Sequence, residues 1–302
     1  MNILKKIVSL IVWSCAALFS LLMLMMLVSI VMMASGVLDK DELKKVVSDK
    51  AVGVVAIEGE ILSSKKFRKS IEERVADEKI KAIVVRIDSP GGAVGASEEI
   101  YRAILKAREK KPVVCSLGNI AASGGLYAAV GCEKIITNES TLSGSIGVVL
   151  MIPNFSDVMK DLGIGMTVIK SGKYKDSGSP FRAVSPDDAK VLQSTVDEAY
   201  EQFVAVVAKA RNLSVKEVEK FADGRIILGQ TAVELKLADS IGSLNDAAKI
   251  ALELSGGEGE PEIIMPEAKK GLRALLDDLA KSKLWFLLNS LDGVHLLYRA
   301  FI

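Results

Sequence analysis

No charged residue interrupts the chain between positions 7 and 38, a run of 32. Lys5 and Lys6 precede it and Asp39 closes it. About 20 apolar residues suffice to cross a bilayer, so this stretch can span one with tilt to spare. A secretory signal has a shorter apolar region, about 7–15 residues. The run therefore reads as one amino-terminal transmembrane helix, an uncleaved anchor over residues 1–38, although Ala34-Ser35-Gly36 would also suit a cleavage site. Lys5 and Lys6 favour a cytoplasmic amino end, while Lys40, Lys44, Lys45 and Lys50 pull the other way. A single-pass signal anchor would hold the rest of the chain at the cell membrane, on its extracytoplasmic side.

Beyond a linker at 39–50 the pattern alternates. Residues 52–57, 80–87 and 112–117 are short runs rich in β-branched residues, and 134–137, 146–150 and 166–169 continue the series. Helical spacing separates them, as at Phe67, Ile71 and Val75 and at Ile100 and Ile104. A small-residue helix is expected over 121–130. Apolar strands alternating with helices imply an α/β fold with a parallel-sheet core and flanking helices. Ser185-Pro186-Asp187-Asp188 marks the start of a long helix: a cap, proline at the first position and acids in the first turn. The core domain is placed at 51–254. Residues 255–261 (SGGEGEP) read as a linker. Beyond it comes an extension to 302 with a leucine stripe (Leu272, Leu275, Leu276, Leu279) and an apolar, aromatic end. That tail is expected to pack on a neighbouring subunit or a membrane surface.

Composition removes several chemistries. A single histidine rules out zinc sites with two or three histidine ligands and leaves one conceivable base for a Ser-His-Asp triad. A net charge of +1 argues against a nucleic-acid footprint. Three cysteines cannot make a disulfide framework, and no two stand at CxxC spacing. No P-loop motif occurs.

Three glycine-rich turns follow expected strands. In Ser89-Pro90-Gly91-Gly92, backbone N–H groups could approach an oxyanion closely; a tight turn needing unusual dihedrals explains the same pattern. In Ala121-Ala122-Ser123-Gly124-Gly125, the serine could expose its hydroxyl to a carbonyl while the Gly124 N–H binds the developing charge; a helix-capping serine is the plainer reading. The third turn spans residues 141–147 (TLSGSIG) and is followed by IKSGKYKD at 169–176. A nucleophilic serine needs a base. His295 lies in the tail beyond the linker, which leaves a lysine acting through its neutral amine. Lys170, Lys173 and Lys175 are the clustered choices, and each could equally be a solvated surface lysine.

The segments RIDSPGGAVGASEEIY, SLGNIAASGGLYAA, STLSGSIGVV, KSGKYKDSGSPFR and FADGRIILGQTAVELKLAD follow in one order across about residues 52–250. Together they closely resemble the signal peptide peptidase family, also called protease IV, in its short single-repeat form. The resemblance implies membrane-anchored serine proteases with a Ser–Lys dyad, related in fold to the Clp protease and crotonase proteins. Matched motif by motif, Ser123 is the nucleophile and Lys175, rather than Lys170 or Lys173, the general base and acid. Ser145 orients the lysine, and Gly92, with Gly91 as the alternative, joins Gly124 in the oxyanion hole. No metal and no cofactor are implied. Cleaved signal peptides and other unstructured apolar peptides would bind along strand edges. Homo-oligomeric rings or domes, with sites completed by neighbours, are implied too. Cys115 and Cys132 flank the nucleophile segment and are expected as small buried core residues. Two other readings stand beside this one: a crotonase-like acyl-CoA enzyme, and an inactive membrane scaffold, against which the intact Ser123, Lys175 and Ser145 set speaks.

Overall fold

The computed structural model describes residues 13, 18–28 and 49–266, and the backbone of 295–299. Residues 18–28 are helical, with exposed side chains, in a unit at 1–47 distinct from the one at 48–302. Among the described residues no helix is long and apolar enough to cross a membrane. The rest of the apolar run at 7–38 lies outside them, as does the leucine stripe at 272–279.

In the second unit β1 (Ala51–Glu58) leads through α1 (Lys65–Ala76) to β2 (Ala82–Ser89), a short β3 (Gly91–Ala93) and α2 (Val94–Arg108). Next come β4 (Val113–Ala122), α3 (Gly124–Ala129), β5 (Lys134–Thr137), β6 (Leu142–Gly144), β7 (Val149–Met151) and α4 (Ser156–Asp161). After an irregular stretch the chain forms α5 (Pro186–Arg211), α6 (Val215–Glu219), β8 (Ile226–Leu228) and α7 (Gly229–Glu234). It ends in β9 (Ser240–Ile241), α8 (Leu244–Leu254), β10 (Glu262–Ile264) and β11 (His295–Arg299).

The main sheet runs β10-β1-β2-β4-β5-β9, parallel throughout, and β6 pairs in parallel with the far end of β4. Only β8 enters antiparallel, against β6. Strands buried on both faces explain the unbroken apolar runs. On one face Val52, Val54, Val84 and Val114 pack against Ala247, Ala248, Ala251 and Leu252 of α8. On the other face, a Cβ at Gly53 would lie 2.9 Å from the Arg74 side chain of α1. The expected α/β core with covered parallel strands is therefore present. The sheet also takes in β10, past the linker at 255–261.

The boundaries differ from expectation in three places. β4 continues to Ala122, so the helix expected from 121 starts at Gly124. The register explains this: Ile87 stands opposite Leu117 but Ser89 opposite Ala121. Asp88 secures the extra residues by accepting from Asn119 Nδ2 (3.0 Å) and the Ile120 N–H (3.3 Å). Residues 146–148 are irregular and β7 starts only at Val149. Residues 166–169 are not a strand; they are exposed, Ile169 at 97 %, with no sheet edge to join. The long helix starts as expected. Ser185 Oγ accepts from the Asp188 N–H, and the Asp188 carboxylate accepts from the Ser185 N–H in return.

Cys115 and Cys132 require a correction. Both are buried, but they are joined in a disulfide with Cα atoms 5.8 Å apart. No short spacing marks the pair, because the excursion of β4 into α3 is what brings its two ends together. The bond closes the loop that carries Ser123, with a sequence separation of 17. A loop of that size is worth about 3 kcal/mol in the chain-entropy description. The double variant Cys115→Ala/Cys132→Ala is expected to melt on the order of 10 °C lower. Calorimetry showing no change would contradict a formed bond.

Candidate active site

The strand order brings the turns after β2, β4 and β6 to the carboxyl end of the sheet, beside β3. Ser123 sits between β4 and α3 at φ 52, ψ −117, a conformation that costs a non-glycine residue energy and clusters at functional sites. Its N–H donates to Gly144 O (2.9 Å), and its own carbonyl accepts from Tyr127 N–H (2.8 Å), which holds the turn at both ends. The residue is fully buried. Among the described residues Ser123 Oγ alone is a buried side-chain polar atom without a hydrogen-bond partner. An unsatisfied buried hydroxyl normally costs stability, and this one stands at a strained turn.

Gly124 and Gly92 meet beside it. A Cβ on Gly124 would collide with Ser97 Oγ and lie 3.2 Å from Gly92 N and Gly91 Cα. Only glycine permits that approach, which brings the two backbones together next to the serine. The SPGG turn is fixed by Ser89, a residue the sequence reading did not single out. Ser89 Oγ donates to Gly59 O (2.6 Å) and accepts the Gly91 N–H (3.1 Å). Gly91 thus spends its N–H on Ser89.

Ser145 stands one residue beyond Gly144, the acceptor of the Ser123 N–H. It too has positive φ (50°), and it donates its N–H to Arg225 O (2.7 Å) across the β6–β8 pairing. Ser145 opens onto a cleft of about 440 Å³ whose lining includes Val149, Tyr200, Asp223 and Ile226.

Lys175 is exposed on the turns at 173–178, and Ser123 Oγ makes no bond to it. Its two neighbours in sequence are committed elsewhere. Lys170 Nζ contacts Asp176 Oδ1 (2.5 Å), and Lys173 Nζ contacts Asp187 Oδ2 (2.5 Å). The Asp187 carboxylate, followed by Tyr174, raises the Lys173 ammonium above its ordinary value and keeps it protonated. Among the described residues, no ion pair or hydrogen bond engages Lys175 Nζ. The structure thus gathers Ser123, Gly124, Gly91, Gly92 and Ser145, with no hydrogen bond from Lys175 to Ser123.

Of the tail beyond residue 266, the backbone of 295–299 is described. Residues 295–299 form β11, which runs antiparallel between β3 and β7 of the same chain. Tyr298 stands opposite Gly92 and Arg299 opposite Gly91, while Leu297 pairs with Ala93 on one side and Val149 on the other. An extended chain therefore lies in the track that starts at Gly91 and Gly92.

Residues 106–256 match the model of peptidase family S49. The chain is 45 % identical over 213 residues to a Synechocystis sp. protein named "Putative protease slr0021", covering 70 % of this chain and 75 % of that one. It is 36 % identical to "Protease 4" of Salmonella typhi, covering 61 % of this chain and 30 % of that one. It is 31 % identical to "Serine protease SPPA, chloroplastic" of Arabidopsis thaliana, covering 76 % and 34 %. The solved structure of a ClpP1 point mutant from Listeria monocytogenes aligns at TM-score 0.46 and 16 % identity, covering 68 % of this chain and 98 % of that one. The matched region holds the buried, unpartnered serine and the turn that presents it, and on these grounds the chain belongs to peptidase family S49 and is a serine peptidase.

Proposed function

We propose that this protein is a membrane-anchored endopeptidase with a Ser123–Lys175 dyad that cleaves unstructured apolar peptides, spent signal peptides among them. The observation that carries the dyad is a pair of unmet groups: a buried serine hydroxyl without a partner, and, among three clustered lysines, one amine left unpaired. Neutral Lys175 takes the Ser123 proton as Oγ attacks the peptide carbonyl, and the carbonyl oxygen becomes the oxyanion. Gly92 and Gly124 N–H groups receive that charge, each worth about 3–4 kcal/mol in comparable sites. The C–N bond then breaks, protonated Lys175 supplies the proton to the departing amine, and water releases the acyl group by the reverse sequence. Ser145 orients the lysine.

Lys175 reaches Ser123 when chains assemble. Exposed apolar side chains at Leu162, Ile164, Met166, Val168 and Ile169, on the same segment as Lys175, favour a homo-oligomer in which one copy completes the site of the next. The anchor reading rests on the uncharged run at 7–38, and the Cys115–Cys132 disulfide supports an extracytoplasmic catalytic unit, since such bonds persist in oxidising compartments. The test is incubation of the full-length chain with a synthetic apolar peptide: internal cleavage is expected, and an intact peptide would refute the activity.

β11 supports backbone-led recognition, because a chain held antiparallel between β3 and β7 needs no particular side chains. Substrate must displace it. Ending the chain at residue 294 is expected to lower KM several-fold with kcat nearly unchanged; an unchanged KM would show that the strand does not compete.

A further inference from the structure

We infer that Arg182, assisted by Lys170 and anchored on Asp188, is a positioning residue for the general base: it occupies the Asp176 carboxylate so that the adjacent Lys175 keeps a free amine. This rests on Lys175 being the base proposed above. Asp176 directly follows Lys175, and a carboxylate free to pair with a neighbouring ammonium favours its protonated form. A protonated base cannot accept the serine proton.

In the structure that carboxylate is already filled. Arg182 Nε donates to Asp176 Oδ2 (3.0 Å) and Arg182 Nη2 to Oδ1 (3.0 Å), the two-pronged arrangement a guanidinium favours. Lys170 Nζ adds a third donor to Oδ1, and Arg182 Nη2 also reaches the Asp176 carbonyl (3.1 Å). The remaining arm, Arg182 Nη1, donates to Asp188 Oδ2 (2.6 Å). Asp188 is fixed in turn by Ser177 Oγ and by the Ser185 hydroxyl and N–H, within the capping box of α5. Its side chain is 4 % exposed and that of Asp176 12 %.

A guanidinium therefore ties the residue after Lys175 to the first turn of a 26-residue helix. Arg182 and then Lys170 hold the Asp176 carboxyl down to about 2, and Arg182, Ser177 and Ser185 hold Asp188 well below the usual carboxylate range. Lys170, Arg182, Asp176 and Asp188 thus balance in charge. Lys173, Asp187 and Tyr174, close by in sequence, are paired among themselves. Nothing in the cluster is left to capture Lys175.

The test compares full-length wild type with Arg182→Gln, Arg182→Gln/Asp176→Asn, Arg182→Lys and Lys175→Ala, reading kcat, KM and the rate–pH profile on an apolar peptide. Arg182→Gln is expected to lose about 100-fold in kcat, the scale of a 1 Å misplacement, with KM within about twofold. Its profile moves to higher pH, because the freed carboxylate now holds the Lys175 proton. Removing that carboxylate in the double variant is expected to return about tenfold of the loss and to move the profile back. Arg182→Lys, which keeps the charge without the fork, falls between. A double variant no better than the single would reduce Arg182 to scaffolding and overturn the inference, as would Arg182→Gln with wild-type kcat and profile. Should Arg182→Gln not fold, Arg182→Lys decides: a profile unmoved from wild type overturns the inference. Lys175→Ala separates the two readings. If it stays active the base assignment fails; if it is inactive while Arg182→Gln behaves as wild type, only the positioning role fails.

Discussion

Lys175→Ala is expected to lower kcat by at least about 10⁴-fold, whereas Lys173→Ala should remain within about twofold of wild type. The first figure is the scale on which removal of an essential base acts in serine proteases. The second follows from exposure: the Lys173–Asp187 pair has side chains 64 % and 53 % accessible, and such pairs contribute little. Ser123→Ala should match Lys175→Ala, and the double variant should be no worse than either, because the two act as one unit. Wild-type activity rises toward alkaline pH, since only the deprotonated amine accepts the hydroxyl proton. A profile governed by a group near 6.5 would point to histidine instead. Comparable losses in Lys173→Ala and Lys175→Ala would contradict the choice among the clustered lysines.

The second large effect is expected at Gly92. A Cβ there would lie 2.6 Å from Ile61 N and C and nearer still to Ile61 O, all of them backbone atoms. Ile61 cannot retreat freely, because its N–H donates to Gly91 O (2.8 Å) and its carbonyl accepts from Ala93 N–H (2.7 Å). The added methyl must displace β3, and the oxyanion donor moves with it. Gly92→Ala is therefore expected to lose about 10²–10³-fold in kcat, the cost of one oxyanion donor, and about 1–3 kcal/mol of stability through overpacking. Gly95→Ala is the matched control. That residue is also a glycine, at the start of α2, but a Cβ there meets nothing within 4 Å, so activity should be unchanged. Equal effects at both positions would show that the clash at Ile61 is not the cause.

The parts of the site visible beforehand were those written in contiguous residues. The alternation of apolar runs and helical stripes reveals a parallel α/β core, because each element is built from neighbours in sequence. SPGG and ASGG mark turns that only glycine can make, and the cap at Ser185-Pro186-Asp187-Asp188 is local chemistry. What stayed hidden depends on contacts distant in sequence. The Cys115–Cys132 bond needs the return of the chain from α3 to β4. The extension of β4 depends on Asp88 of the neighbouring strand. Residues 166–169 have the composition of a strand, yet no sheet edge is offered to them. The track taken by β11 requires β3 and β7, both far back in the chain, to flank it, a relation that tail hydropathy does not encode. The Asp176–Arg182–Asp188 cluster was half legible: Asp188 was visible in a helix start, but not the guanidinium that bridges it to Asp176.

If Ser123 is the nucleophile, a fluorophosphonate reagent will mark it, because the reagent bonds with an activated hydroxyl. The full-length chain should gain one adduct mass, peptide mapping should place it on Ser123, and Lys175→Ala should label far more slowly. An adduct on another residue, or labelling that persists in Ser123→Ala, would show that Ser123 is not the nucleophile.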